Sequence, residues 1–184
     1  LEKTKQNNNQ DEQSLEDWRL AADNGVIELD SVEHSLVRAG IGYWRRLKAG
    51  RAFPSRQQVA PRDIAGLLRN VILVKVIDGG ADFEFRIVGD AHVQVSGFNM
   101  QGSQIHDLKR IAPGCAATLE KLYAHVLKTR RPYALRGVMD RPGQTPITSE
   151  SVLLPMGPDD STVDHILVFS VYVPRDLGRE RAAG

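Results

Sequence analysis

The side chains able to do chemistry are few and scattered along the chain. Five histidines, His34, His92, His106, His125 and His165, lie too far apart for the His-x-x-x-His or Cys/His spacings that hold a metal, so no metal site is expected. The pair His106-Asp107 suggests a phosphohydrolase dyad, but the companion His and Asp at helical spacing are missing. What remains is a loop histidine beside a helix-capping aspartate. No serine sits in a G-x-S-x-G elbow, and there is no G-x-x-x-x-G-K-[ST] loop to cradle a phosphate. The single cysteine, Cys115, can form neither an internal disulfide nor a cysteine-built zinc site. It fits a reducing compartment, and a cytoplasmic location is expected.

Two charges stand out because each interrupts a strand-like run. Arg86 lies in FEFRIVG and Glu150 in TSESVLLPMG, where alternation puts Glu150 on one face with Val152 and Leu154. A charge on a buried face has to be paired or hydrogen-bonded. The first reading is that one or both are exposed or form an ion pair within the sheet.

From Arg38 to Arg56 the chain carries Arg38, Arg45, Arg46, Lys48, Arg51 and Arg56 with no acid, and Tyr43, Trp44 and Phe53 are interleaved. Nucleic-acid binding needs several phosphate contacts from one surface, so this segment is the place to look for it. The aromatics are better used in helix packing, and no helix-turn-helix or RNA-binding signature accompanies them. A solvated face or an acidic protein partner is the preferred reading.

The elements that position these residues follow from periodicity and punctuation. A helix is expected over residues 31–49, capped by Asp30 or Ser31, with Val32, Leu36, Ala39, Tyr43 and Leu47 on one face and Val37, Ile41 and Trp44 widening the stripe. A stripe that wide wants cover on more than one side. Pro61 opens a short helical turn, NVILVKVID and FEFRIVG form a hairpin across GGAD, and short helical pieces follow around Gly97 and Gly102. Pro113 opens the longest helix, with Cys115, Ala116, Leu119, Leu122, Tyr123, Val126 and Leu127 on one face and Thr118, Lys121, His125 and Lys128 opposite. YALRGVMD, TSESVLLPMG and VDHILVFSVYV then read as three strands of a meander. Both residue sets of the last are apolar, which asks for cover on both faces of the sheet.

The plan is therefore α+β with one antiparallel sheet. A chain of 184 residues, 41% apolar and 26% charged, has the length for one well-buried domain. Its 24 basic and 23 acidic side chains leave a net charge of +1, too little to steer nucleic acid or an anionic membrane without a local patch. The longest apolar run, Val71 to Val74, is far short of the roughly 18 residues of a spanning helix, so no membrane partner is expected. The expected divisions are a polar, Asn- and Gln-rich tail over 1–30, a domain over 31–175 and a second tail over 176–184.

Three stretches of this sequence resemble the PAS fold, and within it a single-PAS family common in alphaproteobacteria. YWRRLKAGRAFPSRQQVAPRDIAGLLRNVILVKV is similar to that family's opening helix, its Pro and Arg-Asp-Ile turn and its first strand. FEFRIVGDAHVQVSGFNMQGSQI is similar to its second strand and short helices, and SESVLLPMGPDDSTVDHILVFSVYV to its closing strands. The resemblance covers roughly residues 40 to 173. Asp90, where the family has a small residue, and the segment before Ser31 depart from it.

The resemblance implies a five-stranded antiparallel sheet whose concave face, with the helices, encloses a small-molecule pocket. It implies sensing or interaction, not catalysis. Arg86, His92, Met100, Glu150, Leu154 and Phe169 are then the candidate ligand-binding residues, Arg86 being suited to a carboxylate through its planar fork. A homodimer is implied through the first helix, with Val32, Leu36, Tyr43, Trp44 and Leu47 as candidate interface. Flavin is not expected, because flavin photosensors use a Cys in a short Asn-Cys-Arg helix and Cys115 opens the long one. Haem is not expected either, because His125 lies away from the apolar face of its helix. With no kinase, cyclase or DNA-binding region in view, output is expected in trans. The alternatives are a scaffold whose pocket is filled by side chains, an enzyme using His92, His106 or Glu150 as general base, and a regulator that binds nucleic acid through residues 38–56.

Overall fold

A computed structural model describes residues 26–139 and 145–174 of the chain. The C-terminal tail and the first 25 residues of the expected N-terminal tail lie outside the described residues. The elements are β1 (Val26–Glu28), α1 (Ser35–Lys48), 3₁₀ segments at Arg56–Gln58 and Pro61–Asn70, β2 (Val71–Ile77), β3 (Asp82–Val88), α2 (Asp90–Ser96), α3 (Ile105–Ile111), α4 (Pro113–Thr129), β4 (Tyr133–Met139), β5 (Ile147–Met156) and β6 (His165–Pro174). The strands form one antiparallel sheet in the order β1-β4-β5-β6-β2-β3.

The α+β plan is the expected one, but the sheet has six strands among the described residues where five were expected. The extra strand is β1, inside the segment read as a tail. Three residues are too few to show an alternating pattern, and β1 forms because the edge of β4 offers it unpaired backbone groups, with Val26 opposite Gly137 and Glu28 opposite Leu135. The β2–β3 hairpin turns at Asp78, Gly79 and Gly80, all with positive φ, a geometry that glycine adopts without strain. A bulge opposite Leu73 and Val74 shifts the register of β3 at Arg86.

The first helix begins later than expected. Its N-cap is His34, whose ring accepts from the Leu36 N–H, and not Asp30 or Ser31; the helix stops at Ala49 and Gly50, both left-handed. It packs on the outer face of the sheet, over β5 and β6. Gly40 lets it approach, since a Cβ there would stand 2.4 Å from the Phe169 ring. Tyr43 and Trp44 are buried within the same chain: the Tyr43 hydroxyl accepts from the Ala60 N–H, and Trp44 Nε1 donates to the Pro155 carbonyl at 2.8 Å. Their assignment to a dimer interface is corrected accordingly, because the chain's own sheet takes up the stripe. Val32, Leu36 and Leu47 are half-buried against the same core.

The opposite, concave face is covered by α2, α3 and α4. Pro113 starts α4 and Arg130, at φ 54°, ends it, as the sequence suggested. Tyr123 is wholly buried, with its ring 5.2 Å from Phe83 and 6.5 Å from Phe85. Thr118 is on the buried side of the helix, not opposite it: its hydroxyl donates to the Gly114 carbonyl one turn back, which lets a threonine face the core.

Candidate functional site

The period of two in β5 and β6 divides their side chains between two environments. Ser149, Ser151 and Leu153 of β5 and Val168, Ser170 and Tyr172 of β6 face the helices; Glu150, Val152 and Leu154 and Leu167, Phe169 and Val171 face α1. On the helix side small residues stand opposite one another in register, Gly137 against Ser149 and Ser151 against Ser170. Neither pair can fill the space beneath α4. A cavity of about 100 Å³ results, lined also by Cys115, Thr118 and Leu122 of α4, by His92 and Ser96 of α2, and by Met100.

Among the described residues no Lys, Arg, Asp or Glu lines this cavity, and most of its wall is apolar. The hydroxyls are largely spent on protein partners. Ser151 Oγ donates to Ser170 Oγ at 2.7 Å, and Ser96 Oγ donates to the Phe98 carbonyl at 2.6 Å. Ser149 Oγ reaches the Gly137 carbonyl only at 3.4 Å. His92 is 2% exposed, and its Nδ1 shares a hydrogen bond of 2.7 Å with the Tyr172 hydroxyl, whose ring meets it edge-on. Its other nitrogen, Nε2, is buried and makes no well-aligned hydrogen bond among the described residues.

Burial sets the protonation of the site. Desolvation lowers His92 to about 4, and hydrogen bonding to the backbone of Asn70 opposes that shift in part. Burial pushes the Cys115 thiol up to about 12 and raises both Tyr123 and Tyr172 above the usual phenol range. At neutral pH the cavity is therefore an uncharged chamber with a neutral imidazole in its wall.

Of the candidate ligand residues, the structure brings His92 and Met100 to this cavity. It places Arg86 elsewhere: at the bulge its side chain turns outward, is 54% exposed and pairs with Glu84 at 2.6 Å. Leu154 and Phe169 are fully buried, but against α1 on the far side of the sheet. Glu150 shares that face and is also corrected as a ligand residue. Its Oε1 accepts from the Glu33 and His34 N–H groups at 2.9 and 2.8 Å, and its Oε2 lies 3.3 Å from Arg136, which also reaches Glu33. A buried carboxylate thus ties the start of α1 to β5. The lining residues that the sequence reading missed are chiefly Tyr172, Ser149, Ser151 and Ser170. A run of small hydroxyls in strands otherwise built of bulky residues was the available signal.

The remaining candidates are engaged on the surface. His106 lies 2.6 Å from Asp82 and 3.2 Å from Asp107, and it stands on α3, not in a loop; partial burial works to raise Asp82, but His106 and the Phe83 N–H outweigh it and lower its pKa. His125 is exposed and stacks on Tyr133, with ring centroids 4.2 Å apart. Much of the basic segment is spoken for: Arg51 pairs with Asp160, Lys48 donates to the Arg51 carbonyl, and Arg38 donates to the Glu33 carbonyl. Among the described residues no cluster of His, Cys, Asp and Glu could hold a metal, and no helix is long and apolar enough to cross a membrane.

The model of the PAS domain matches residues 32–169, three quarters of the chain. The chain belongs to the PAS domain family. No curated protein matches it. Among solved structures, this PAS chain is similar to the LOV protein of Rhodobacter sphaeroides, with 16% identity, 66% of this chain and 73% of that one covered, and a TM-score of 0.42. It is also similar to an RNA-binding light-oxygen-voltage receptor, with 11% identity, 86% and 42% covered and a TM-score of 0.46. A fungal LOV domain photoreceptor shares 12% identity, with 65% and 95% covered and a TM-score of 0.39.

Proposed function

We propose that this PAS domain is a sensory module that binds a small molecule in the cavity between the concave face of its sheet and α4. The observation that carries this reading is the cavity itself, a mainly apolar space with small hydroxyl side chains and the buried His92 among its lining residues. Binding is favoured over catalysis because, among the described residues, Tyr172 is the side-chain partner that His92 has, and burial holds Cys115 as an inert thiol. A volume of about 100 Å³ is smaller than the roughly 150 Å³ of an apolar cavity known to take benzene. A flavin or a porphyrin would require large displacements of the lining side chains.

The route to an output runs along β5. Ser149 and Ser151 face the cavity, and Glu150 between them holds the start of α1. A ligand that prefers one position of β5 shifts the position of α1 by as much as its differential affinity allows. The exposed face of that helix, with Arg45 and Arg46, is what an acidic partner surface or a second copy would read.

Native and denaturing mass spectra of the purified protein, followed by thermal-shift measurements with small neutral compounds, test this. A noncovalent adduct, or a melting temperature raised by roughly 5–10 °C at a hundredfold excess over Kd, is expected. No adduct and no shift with any compound would leave a scaffold in place of a sensor.

A further inference from the structure

Within the cavity wall the hydroxyls are not equivalent. Those of Ser96, Thr118, Ser151 and Ser170 have protein partners, and that of Tyr172 meets His92. Tyr123 of α4 lines the same cavity and is 1% exposed, yet its hydroxyl enters no hydrogen bond among the described residues. Nor is its oxygen sealed by neighbouring atoms, as His92 Nε2 is. It therefore borders open space, and for a side chain shut off from the surface that space is the cavity. The two groups whose charges act on this phenol, Cys115 and Tyr172, are both lining residues of that cavity.

A buried hydroxyl without a partner loses its hydration with nothing in return, and an orphaned donor is the rarer case in folded proteins. The ring alone would serve the packing against Phe83 and Phe85, so a phenylalanine would fill this place without that cost. Burial keeps the phenol protonated, and it therefore offers a hydrogen to an acceptor. Among the described residues the wall holds no Lys, Arg, Asp or Glu to balance a charged guest. An alcohol would bring a donor of its own into a mainly apolar wall, whereas a carbonyl oxygen brings acceptors alone. Scaled from benzene in its roughly 150 Å³ cavity, a space of about 100 Å³ holds about four heavy atoms. Building on the ligand-binding reading above, we infer that the cavity takes a small uncharged ketone or aldehyde with a short hydrocarbon body, whose carbonyl oxygen accepts a hydrogen bond from the Tyr123 hydroxyl.

The probes are acetone, 2-methylpropene and acetate, which share one branched shape and differ in oxygen and charge. Each is titrated into the full chain, with tyrosine isotope-labelled at Cζ, and followed by NMR. Acetone is expected to shift the Tyr123 Cζ resonance together with the amides of Ser151 and Ser170, while 2-methylpropene moves the amides and leaves Cζ nearly in place. Tyr123→Phe removes the hydroxyl and keeps the ring, and because no protein partner is lost the variant should melt no lower than the parent. In it acetone should bind about fivefold more weakly and 2-methylpropene within about twofold of the parent. A Cζ resonance that acetone leaves unmoved while the amides shift, or equal losses for acetone and 2-methylpropene in the variant, overturns the anchor while ligand binding stands. A variant that melts well below the parent or fails to fold overturns it too, since the hydroxyl would then have a partner within the protein. Acetate binding more tightly than acetone overturns the uncharged class. If no probe perturbs any cavity resonance, the ligand-binding reading falls together with the inference.

Discussion

On the outer face of the sheet α1 lies so close that a Cβ at Gly40 would press into the Phe169 ring, whereas on the concave face the serines of the same two strands leave room. The two faces share a backbone and differ by one residue of register. Outside, Phe169, Leu154 and Trp44 are all buried, and a buried carboxylate, Glu150, satisfies the backbone at the start of the helix. Inside, Gly137, Ser149, Ser151 and Ser170 keep a chamber open. The contrast teaches that alternate residues of one strand can pack one face of the sheet tightly and leave room on the other.

The contrast breaks or sharpens under three measurements. The largest effect is expected outside: Phe169→Ala should cost about 3–5 kcal/mol in urea denaturation, because a filled site beneath Gly40 becomes a void. If the loss were under about 1 kcal/mol, the outer face would not be the tightly packed one.

Next comes the pH dependence set by His92. Its folded pKa of about 4 lies below the unfolded value near 6.5, so between those pH values the unfolded chain binds a proton that the folded one does not. Its contribution is complete above pH 6.5 and is lost as pH falls toward 4, on the order of 3 kcal/mol. Urea midpoints of the parent and His92→Phe at pH 7.5 and 4.5 should diverge by that amount, the variant losing less on acidification. Parallel loss in both would mean that the ring is solvated, and the cavity wall with it.

The smallest effect is expected at Ser149. Ser149→Val adds volume where the concave face has space and gives up only a long hydrogen bond, so stability should change by less than about 1 kcal/mol. Binding of a small neutral probe should nevertheless disappear. A variant that is destabilised as much as Phe169→Ala, or that binds as the parent does, would erase the difference between the faces.

Much of the architecture was legible because it rests on local signals. Pro113 and the 3.6-residue spacing after it marked α4, the glycines at 79 and 80 marked the β2–β3 turn, and the two apolar sets of the last strand announced a sheet covered on both sides. The site was legible only in part. Alternation shows that Glu150, Val152 and Leu154 share a face, but not that this is the face against α1; Leu154 and Phe169 were rightly read as buried and assigned to the wrong side. Arg86 and Glu150 follow the first reading, Arg86 exposed and paired with Glu84 and Glu150 paired with Arg136 across the sheet, and it is the ligand-binding alternative that the structure does not support. Tyr43 and Trp44 were rightly read as needing cover, and the cover proved to be the chain's own sheet.

The sequence by itself determined most of the elements, their order and the need for two covered faces, since propensity, periodicity and composition are properties of neighbours along the chain. Only the tertiary structure decided which face is concave, that Ser151 and Ser170 meet across strands, that Glu150 caps the approach to α1, and that His92 meets Tyr172 at one ring nitrogen. Those outcomes depend on register and on distances between residues up to 117 positions apart, and a hydrogen bond exists or fails within a few tenths of an ångström of such placement.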